Sequence, residues 1–556
     1  MESISHKRLL FILLVIAYIF LMCGNGLISL THPDEVFYAQ TAKEMIIHRS
    51  WLTPIIFDQP QFEKPILVYW LLILSIKFLG LTSFAARLVP SLFGIIGVLV
   101  TYWMAYLLFK KKRMAFISAV ILSTSAIYIA LSRAVLTDMV FSILVVIALA
   151  FFYDGLINKN HRGRGIIFCF VFAALAVLAK GILGVFFVFV PIGVFLYLAK
   201  EGDYFKHQAT LWGALLFCLI VVPWHYLEMK TYGASFIDEY FRNVHWRRVV
   251  EAEHTESDTF YFYPLTAVGG VFPWTLFLIP AVILGYRVSR QQVSLRKSFL
   301  FLTCWIGAVM LGMQPAKSKL ASYVFPVFPA LSILLGYYWE TVLDGKGRKF
   351  MKFISYLTAG VIGMFSLGMV VMGQCYEKYI ENMALIGGWA FLFFLCALSL
   401  TWFAYKNNSR GAIFSVAGIS GILLVGLILG RSYAEPWVSC EQVCRLLKAM
   451  DRSSSTIVSS KILVRGVRFY TDRKVAVLDL SGEGFFSPHP IPMLHNEQDV
   501  FSFLANQPVT YCILKESNAR FIRERAGENF EITFEQNIGG KHLLRLESKG
   551  RWRSTL

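Results

Sequence analysis

Charge is scarce in this sequence. Only 16% of its 556 residues are Asp, Glu, Lys or Arg, against about a quarter in a soluble domain. Acids are scarcer than bases, 35 against 53, while hydrophobic residues make up 56% and mean hydropathy is +0.59. Together these exclude an ordinary soluble globular chain. Cysteine is also sparse. Most of the nine lie in apolar runs, where cysteine behaves as a small hydrophobe. Cys375, Cys440, Cys444 and Cys512 fall outside those runs and leave room for a disulfide, with no pairing readable. No repeat of solenoid length and no low-complexity segment is visible. Paired Gly/Pro-broken spans of the kind that mark many transporters are missing too. No small-x-small cleavage site follows His6-Lys7-Arg8, so the run 9–30 reads as an uncleaved first span.

What the sequence does have is apolar stretches of about 20 residues, long enough to cross a bilayer as helices. They predict a polytopic α-helical membrane protein. The net charge of +18 would suggest nucleic acid in a soluble protein, but the bases gather in short loops, where the positive-inside bias accounts for them. The orientation turns on the apolar stretch 66–79, which is short and contains Lys77. If it crosses, Lys110–Arg113 lands outside. If it lies along the interface, every strongly basic loop shares one side. The second choice leaves thirteen spans, near 9–30, 84–108, 114–131, 138–156, 165–180, 182–199, 209–228, 262–286, 298–313, 321–341, 353–373, 384–405 and 411–430. The expected division is a transmembrane part, 1–431, with a catalytic external first loop at 31–83, and an external α/β domain, 432–556. In the latter, "TIVSS", "KVAVLDL", "VTYCILK" and "HLLRLE" read as strands and Val443–Met450 as helix.

This topology collects ionisable residues on the external face. The first loop holds Asp34, Glu35, Tyr38, Glu63 and Lys64, and "SRAVLTD" adds Arg133 and Asp138. "LAKG" adds Lys180, the 229–260 loop adds His254 among other cations, and "QPAKSKLASY" adds Lys319 and Tyr323. Each has a structural reading that suffices alone. Thr31, Pro33, Asp34 and Glu35 suit a helix start, Asp138 could cap a span, and Lys180 could snorkel. Their concurrence at one membrane edge points to a site instead. Moving a sugar off a lipid phosphate calls for cations at the departing phosphate, for which Lys64, Lys180, Lys319 and Arg133 are candidates. It also calls for a carboxylate near the attacking oxygen, for which Asp34 stands first and Asp138 second. Glu63 and His254 are candidates for a divalent metal ion or for sugar hydroxyls. Two ligands are too few to define a metal site.

The motifs "PDEVFYAQTAKEM…FEKPILVYW", "LTDM", "LAKG", "FYFYPLTAVGGVFPWTLFLIPA" and "KLASYVFPVFPAL" run in one order through the first two-thirds of the chain. In this the chain resembles the bacterial lipid A aminoarabinose transferases, GT-C membrane glycosyltransferases related to the protein O-mannosyltransferases. The resemblance implies a GT-C fold of about thirteen spans with a small periplasmic α/β C-terminal domain. It implies an inverting transfer of aminoarabinose or a related sugar from undecaprenyl phosphate to lipid A or another envelope acceptor, on the periplasmic face of the inner membrane. It also implies Asp34 as the essential first-loop aspartate, and Tyr38, Glu63, Lys64, Asp138, Lys180, His254 and Tyr323 as cavity residues. Two departures stand out. Phe37 occupies a position where the family usually has Arg, and Gln61 one where Tyr is common, which leaves the sugar open. The rival readings are transfer to Ser/Thr of exported proteins, and a lipid or sugar transporter without bond formation.

Overall fold

The computed structural model describes residues 4–247, 250–251, 258–375, 383–451, 453–482, 485, 489, 491–527 and 529–549. The chain forms two compact units, neither continuous in sequence. One comprises Met1–Gly24, Leu88–Thr231 and His245–Leu429; the other comprises Asn25–Arg87, Tyr232–Val244 and Gly430–Leu556.

The first unit is helical, and each expected span overlaps at least one helix, the first of them, 9–30, only as far as Leu21. Among the described residues, nine helices are long and apolar enough to cross a membrane. Ser83–Phe109, with 27 residues, runs about 40 Å at 1.5 Å per residue. His6–Leu21 and Leu183–Ala199 are shorter, at 16 and 17 residues. The other two expected spans are bent: Lys112–Ser123 turns 64° into Ala126–Ser132, and Phe262–Gly270 turns 103° into Thr275–Gln291. Broken spans were not expected from the sequence.

The two breaks satisfy each other. The Ala126 N–H donates to the Phe272 carbonyl at 2.9 Å, and the Trp274 indole donates to Thr124 Oγ1 at 3.0 Å. Ser420 donates to the Thr124 carbonyl at 2.6 Å. Backbone groups freed within a membrane need such partners, and Thr124 and Ser125 also turn their hydroxyls back onto their own helix. Thr137–Ile157 is buried along nearly its whole length, as suits a helix that is apolar all round. It packs on Arg162–Lys180 through small residues. A Cβ on Gly165 would lie 2.7 Å from the Phe151 carbonyl oxygen and 2.8 Å from Gly155 Cα.

In the second unit, Leu67–Leu79 has 13 residues. At roughly 20 Å it falls short of the hydrocarbon core. Before it come the Asp34–Ile47 helix and a short hairpin of β1 (Ile55–Ile56) and β2 (Gln59–Pro60). The C-terminal segment forms a six-stranded sheet from β3 (Ile457–Ser460), β4 (Val475–Leu478), β5 (Met493–Leu494), β6 (Val509–Lys515), β7 (Phe530–Ile538) and β8 (Lys541–Ser548). Their order is β5-β4-β3-β6-β8-β7. The four expected strands are β3, β4, β6 and β8. The first two are buried on both faces, which explains their unbroken apolar character. β7 escaped the sequence reading because, as an edge strand, it interleaves its apolar residues with acids. Gly539, in the turn before β8, has φ +56°, and a Cβ there would meet the Pro436 carbonyl oxygen at 2.0 Å.

The first-loop segment and the C-terminal segment share this second unit, held by ion pairs. Arg468, on the helix Val464–Thr471, reaches Glu44 at 3.3 Å and Asp58 at 2.7 Å, and Lys43 pairs with Asp472. The disulfide left open by the sequence does not form. Cys375, Cys440, Cys444 and Cys512 are all free thiols, the last three buried as small hydrophobes.

Candidate active site

Asp34 and Glu35 are neighbours with opposite fates. Asp34 is the first residue of its helix and is exposed. Glu35, one residue on, is buried, and the Arg87 guanidinium donates to its two oxygens at 2.8 and 2.5 Å. The same guanidinium also donates to the carbonyls of Asn25, Ile28 and Ser29. The backbone N–H and hydroxyl of Thr31 each donate to Glu35 at 2.9 Å. Thr31 therefore serves Glu35 and does not cap the helix with its own side chain, as the sequence had suggested. Glu35 fixes the helix start, and the Asp34 carboxylate is left at the surface of that rigid turn.

Lower in the same loop, Gln61 organises the "FEKP" turn. It accepts the Glu63 N–H at 2.9 Å and donates to the Tyr69 hydroxyl at 2.8 Å. Tyr38, buried, lies with its ring centroid 6.1 Å from that of Tyr69. Lys64 donates to the Glu63 carbonyl at 3.2 Å and is half-buried. Glu63, 11% exposed, lies 3.9 Å from Arg465 of the helix Val464–Thr471. The Arg465 guanidinium carbon stands 4.6 Å above the Phe37 ring centroid, and its Nη2 donates to His489 Nε2 at 2.9 Å. Burial first, then the Arg465 charge, lower His489 to a pKa of about 4, against a smaller opposing pull from Glu63. The ring is neutral at pH 7 and free to accept.

The first unit holds a second group of the expected residues. Asp138 sits in the first turn of Thr137–Ile157 without capping it. Its Oδ1 is 2.5 Å from Lys180 Nζ, and the two side chains are 8% and 9% exposed. Lys180 is thus a buried partner and not a snorkelling cation. Its ammonium also lies 4.8 Å from the Tyr323 ring centroid, within cation–π range. Lys319, 4% exposed, pairs with Asp258 at 2.5 Å. Arg133 donates to the Phe20 and Cys23 carbonyls at 3.2 and 2.8 Å, completing the end of the first helix.

His254 lies outside the described residues, so the pairing of Glu63 with it has no geometry here. Among the described residues no group of three or more His, Cys, Asp or Glu is placed to hold a metal ion. Arg87, Asp258, Arg465 and His489 are the polar residues that sequence reasoning missed.

The second unit offers an exposed carboxylate on a braced helix start with a lysine in the same loop; the first unit, by itself, offers a buried acid–lysine pair under an aromatic ring. Residues 7–237 match the family described as dolichyl-phosphate-mannose-protein mannosyltransferase. ArnT from Cupriavidus metallidurans, in its crystal structure bound to undecaprenyl phosphate, superposes with a TM-score of 0.78 at 19% identity, covering 97% of this chain and 98% of that one. The archaeal oligosaccharyltransferase AglB from Archaeoglobus fulgidus, in complex with an inhibitory peptide and a dolichol-phosphate, gives 0.54 at 12% identity, covering 99% and 75%. The fold is that of the GT-C membrane glycosyltransferases, a multi-pass helical part with a small C-terminal sheet.

Sequence relatives narrow the class. The undecaprenyl phosphate-alpha-4-amino-4-deoxy-L-arabinose arabinosyl transferase 1 of Proteus mirabilis (strain HI4320) is 27% identical over 440 residues, 78% of this chain and 76% of the relative. In sequence the chain is similar to these aminoarabinose transferases and, over residues 7–237, to the protein mannosyltransferase family.

Proposed function

We propose that this enzyme takes aminoarabinose or a related sugar from undecaprenyl phosphate and adds it to lipid A or another envelope acceptor. The site faces the periplasm, from a multi-pass protein of the inner membrane. The observation that carries the reading is the split of the Asp34–Glu35 pair. Glu35 is buried against Arg87, while Asp34 is exposed at the end of the same braced helix, whose loop also carries Lys64. The relatives named for undecaprenyl-phosphate-linked aminoarabinose supply the donor and the sugar class.

The reaction is a single in-line displacement with inversion. The acceptor oxygen forms a bond to the anomeric carbon as the bond from that carbon to the phosphate oxygen breaks, and the electron pair leaves with undecaprenyl phosphate. Lys64 and Lys180 are the cations assigned to the departing phosphate, whose charge grows in the transition state. With a hydroxyl acceptor, Asp34 takes its proton. With a lipid A phosphate acceptor the nucleophile is already ionised, and Asp34 instead orients reactants or offsets positive charge developing on the sugar. Asp138 holds Lys180 in place.

Purified protein with undecaprenyl-phosphate-linked aminoarabinose and lipid A tests this directly. Sugar should move to lipid A in the wild type and fall at least 100-fold in correctly folded Asp34→Asn, and near-normal turnover in that variant would remove Asp34 from the chemistry. The match of residues 7–237 to a protein mannosyltransferase family supports a second reading, with Ser/Thr of exported proteins as acceptor. Label entering exported proteins and absent from the envelope lipids would select it.

A further inference from the structure

The site residues expected from the sequence all lie before residue 324, and the C-terminal segment carried no catalytic signal. Yet Arg465 comes from that segment, and its position is over-determined. Phe37 lies under the guanidinium at 4.6 Å, and Phe485 contacts it at 5.7 Å. His489 accepts a hydrogen bond from its Nη2 at 2.9 Å, and Glu63 balances its charge at 3.9 Å. The side chain is only 16% exposed, and its buried Nε–H has no acceptor among the described residues. A buried guanidinium N–H normally finds an acceptor, and an oxygen of a bound ligand is one that would serve.

The nature of that oxygen follows from charge. Arg465 with Glu63 carries no net charge, and a phosphate dianion approaching Arg465 would also meet the Glu63 carboxylate within about 4 Å, a costly like-charge contact. Polyol substituents suit the pair better, because each hydroxyl both donates and accepts. A guanidinium beside a carboxylate offers donors and acceptors within one small area. Lys64, adjacent in sequence to Glu63, is left for the phosphate.

We propose that Arg465 and Glu63 together read the sugar of the lipid-linked donor, so that the C-terminal segment contributes a specificity-determining residue to the first-loop site. The proposal rests on the transferase reading given above. Phe37 and Phe485 hold the guanidinium flat, and His489 fixes its rotation, so its remaining N–H groups point in a constant direction.

The test uses full-length protein in lipid nanodiscs and three probes: undecaprenyl phosphate, undecaprenyl phosphate-linked 4-amino-4-deoxy-L-arabinose, and the L-arabinose analogue. Affinity is measured for each, and kcat and KM for the two that carry a sugar. Arg465→Gln should weaken both sugar-bearing probes about tenfold or more, the scale of one charge-assisted hydrogen bond. Affinity for undecaprenyl phosphate should stay within about twofold, and the preference between the two sugars should shrink. Arg465→Lys should remain defective, because an ammonium lacks the planar fork. Glu63→Gln should show the same sugar-dependent pattern. Equal weakening of all three probes with a lowered unfolding temperature would mean a purely structural role and overturn the proposal. Unchanged affinities and KM values would overturn it as well. If the wild type transfers neither sugar, the transferase reading fails on its own. The binding ratio of sugar-bearing to bare lipid, compared between wild type and Arg465→Gln, still decides the role of Arg465.

Discussion

Exchanging Lys180 for methionine removes the cation that faces Asp138 at 2.5 Å. The carboxylate is 8% exposed and would be left in a helix that is buried along nearly its whole length. Breaking a buried ion pair from one side costs about 3–5 kcal/mol, because the remaining charge keeps its desolvation penalty without its partner. The lost contact of the ammonium with Tyr323 at 4.8 Å adds about 0.5–2 kcal/mol. The single variant should therefore unfold about 3.5–7 kcal/mol more easily, measured by denaturant titration in mixed micelles.

The double variant Asp138→Leu/Lys180→Met separates stability from chemistry. An apolar pair of similar volume should recover the loss to within about 1 kcal/mol or exceed the wild type, giving a coupling of about 2 kcal/mol or more. Under the proposed mechanism, sugar transfer should nonetheless stay below about 1% of wild type, since a cation assigned there to the phosphate is gone. Two results would refute this reasoning. A Lys180→Met protein as stable as wild type would mean that Asp138 is solvated. A stable double variant that still turns over would make the pair structural only.

Three further outcomes follow from the same geometry. Arg87→Met should cost about 3–5 kcal/mol, because Glu35 and three loop carbonyls lose their donor; it should also lower kcat without touching substrate, which Tm and initial rates report separately. Gln61→Ala frees the "FEKP" turn from Tyr69 and should raise the donor KM severalfold, with a stability loss of about 1–2 kcal/mol by the same denaturant titration. His32 and His489 are each lowered to about 4, chiefly by burial. The fold therefore holds them neutral, while the unfolded chain protonates near 6.5. Stability should be at its full value above that pH and fall as pH drops from 6.5 toward 4, by up to roughly 3 kcal/mol for each ring. A His32→Asn/His489→Asn variant should show a flatter profile over this window.

The helices and most catalytic candidates were legible because a charge at membrane depth is costly and therefore conspicuous against apolar sequence. Asp138, Lys180 and Lys319 stand out in this way, and the structure gives each a buried partner or ring. Asp258 did not stand out, since it lies among other polar residues in a long loop and gains meaning only from Lys319, 61 positions later. The broken spans were invisible for a different reason. Thr124-Ser125 and Val271–Trp274 look unexceptional alone, and it is their mutual hydrogen bonds that make each break tolerable. Arg87 and Arg465 were hidden because a single base carries no periodicity, and their contacts span 52 and 402 positions, from Glu35 to Arg87 and from Glu63 to Arg465.

Phe37 shows what position-by-position comparison misses. Read along the chain, it replaces a usual Arg and removes a fixed charge from the first motif. In three dimensions, a guanidinium lies over its ring, delivered by a helix more than 400 residues later in the sequence. The aromatic ring is what lets that guanidinium lie flat, since a second Arg at position 37 would repel it. Phe37 and Arg465 therefore form one unit, which brings a fixed charge to the first motif from a distant part of the sequence. It follows that Phe37→Arg should not restore a usual site. It should displace Arg465 from Glu63 and lower activity in the wild-type background, and it should be tolerated better when Arg465 is changed to Gln at the same time.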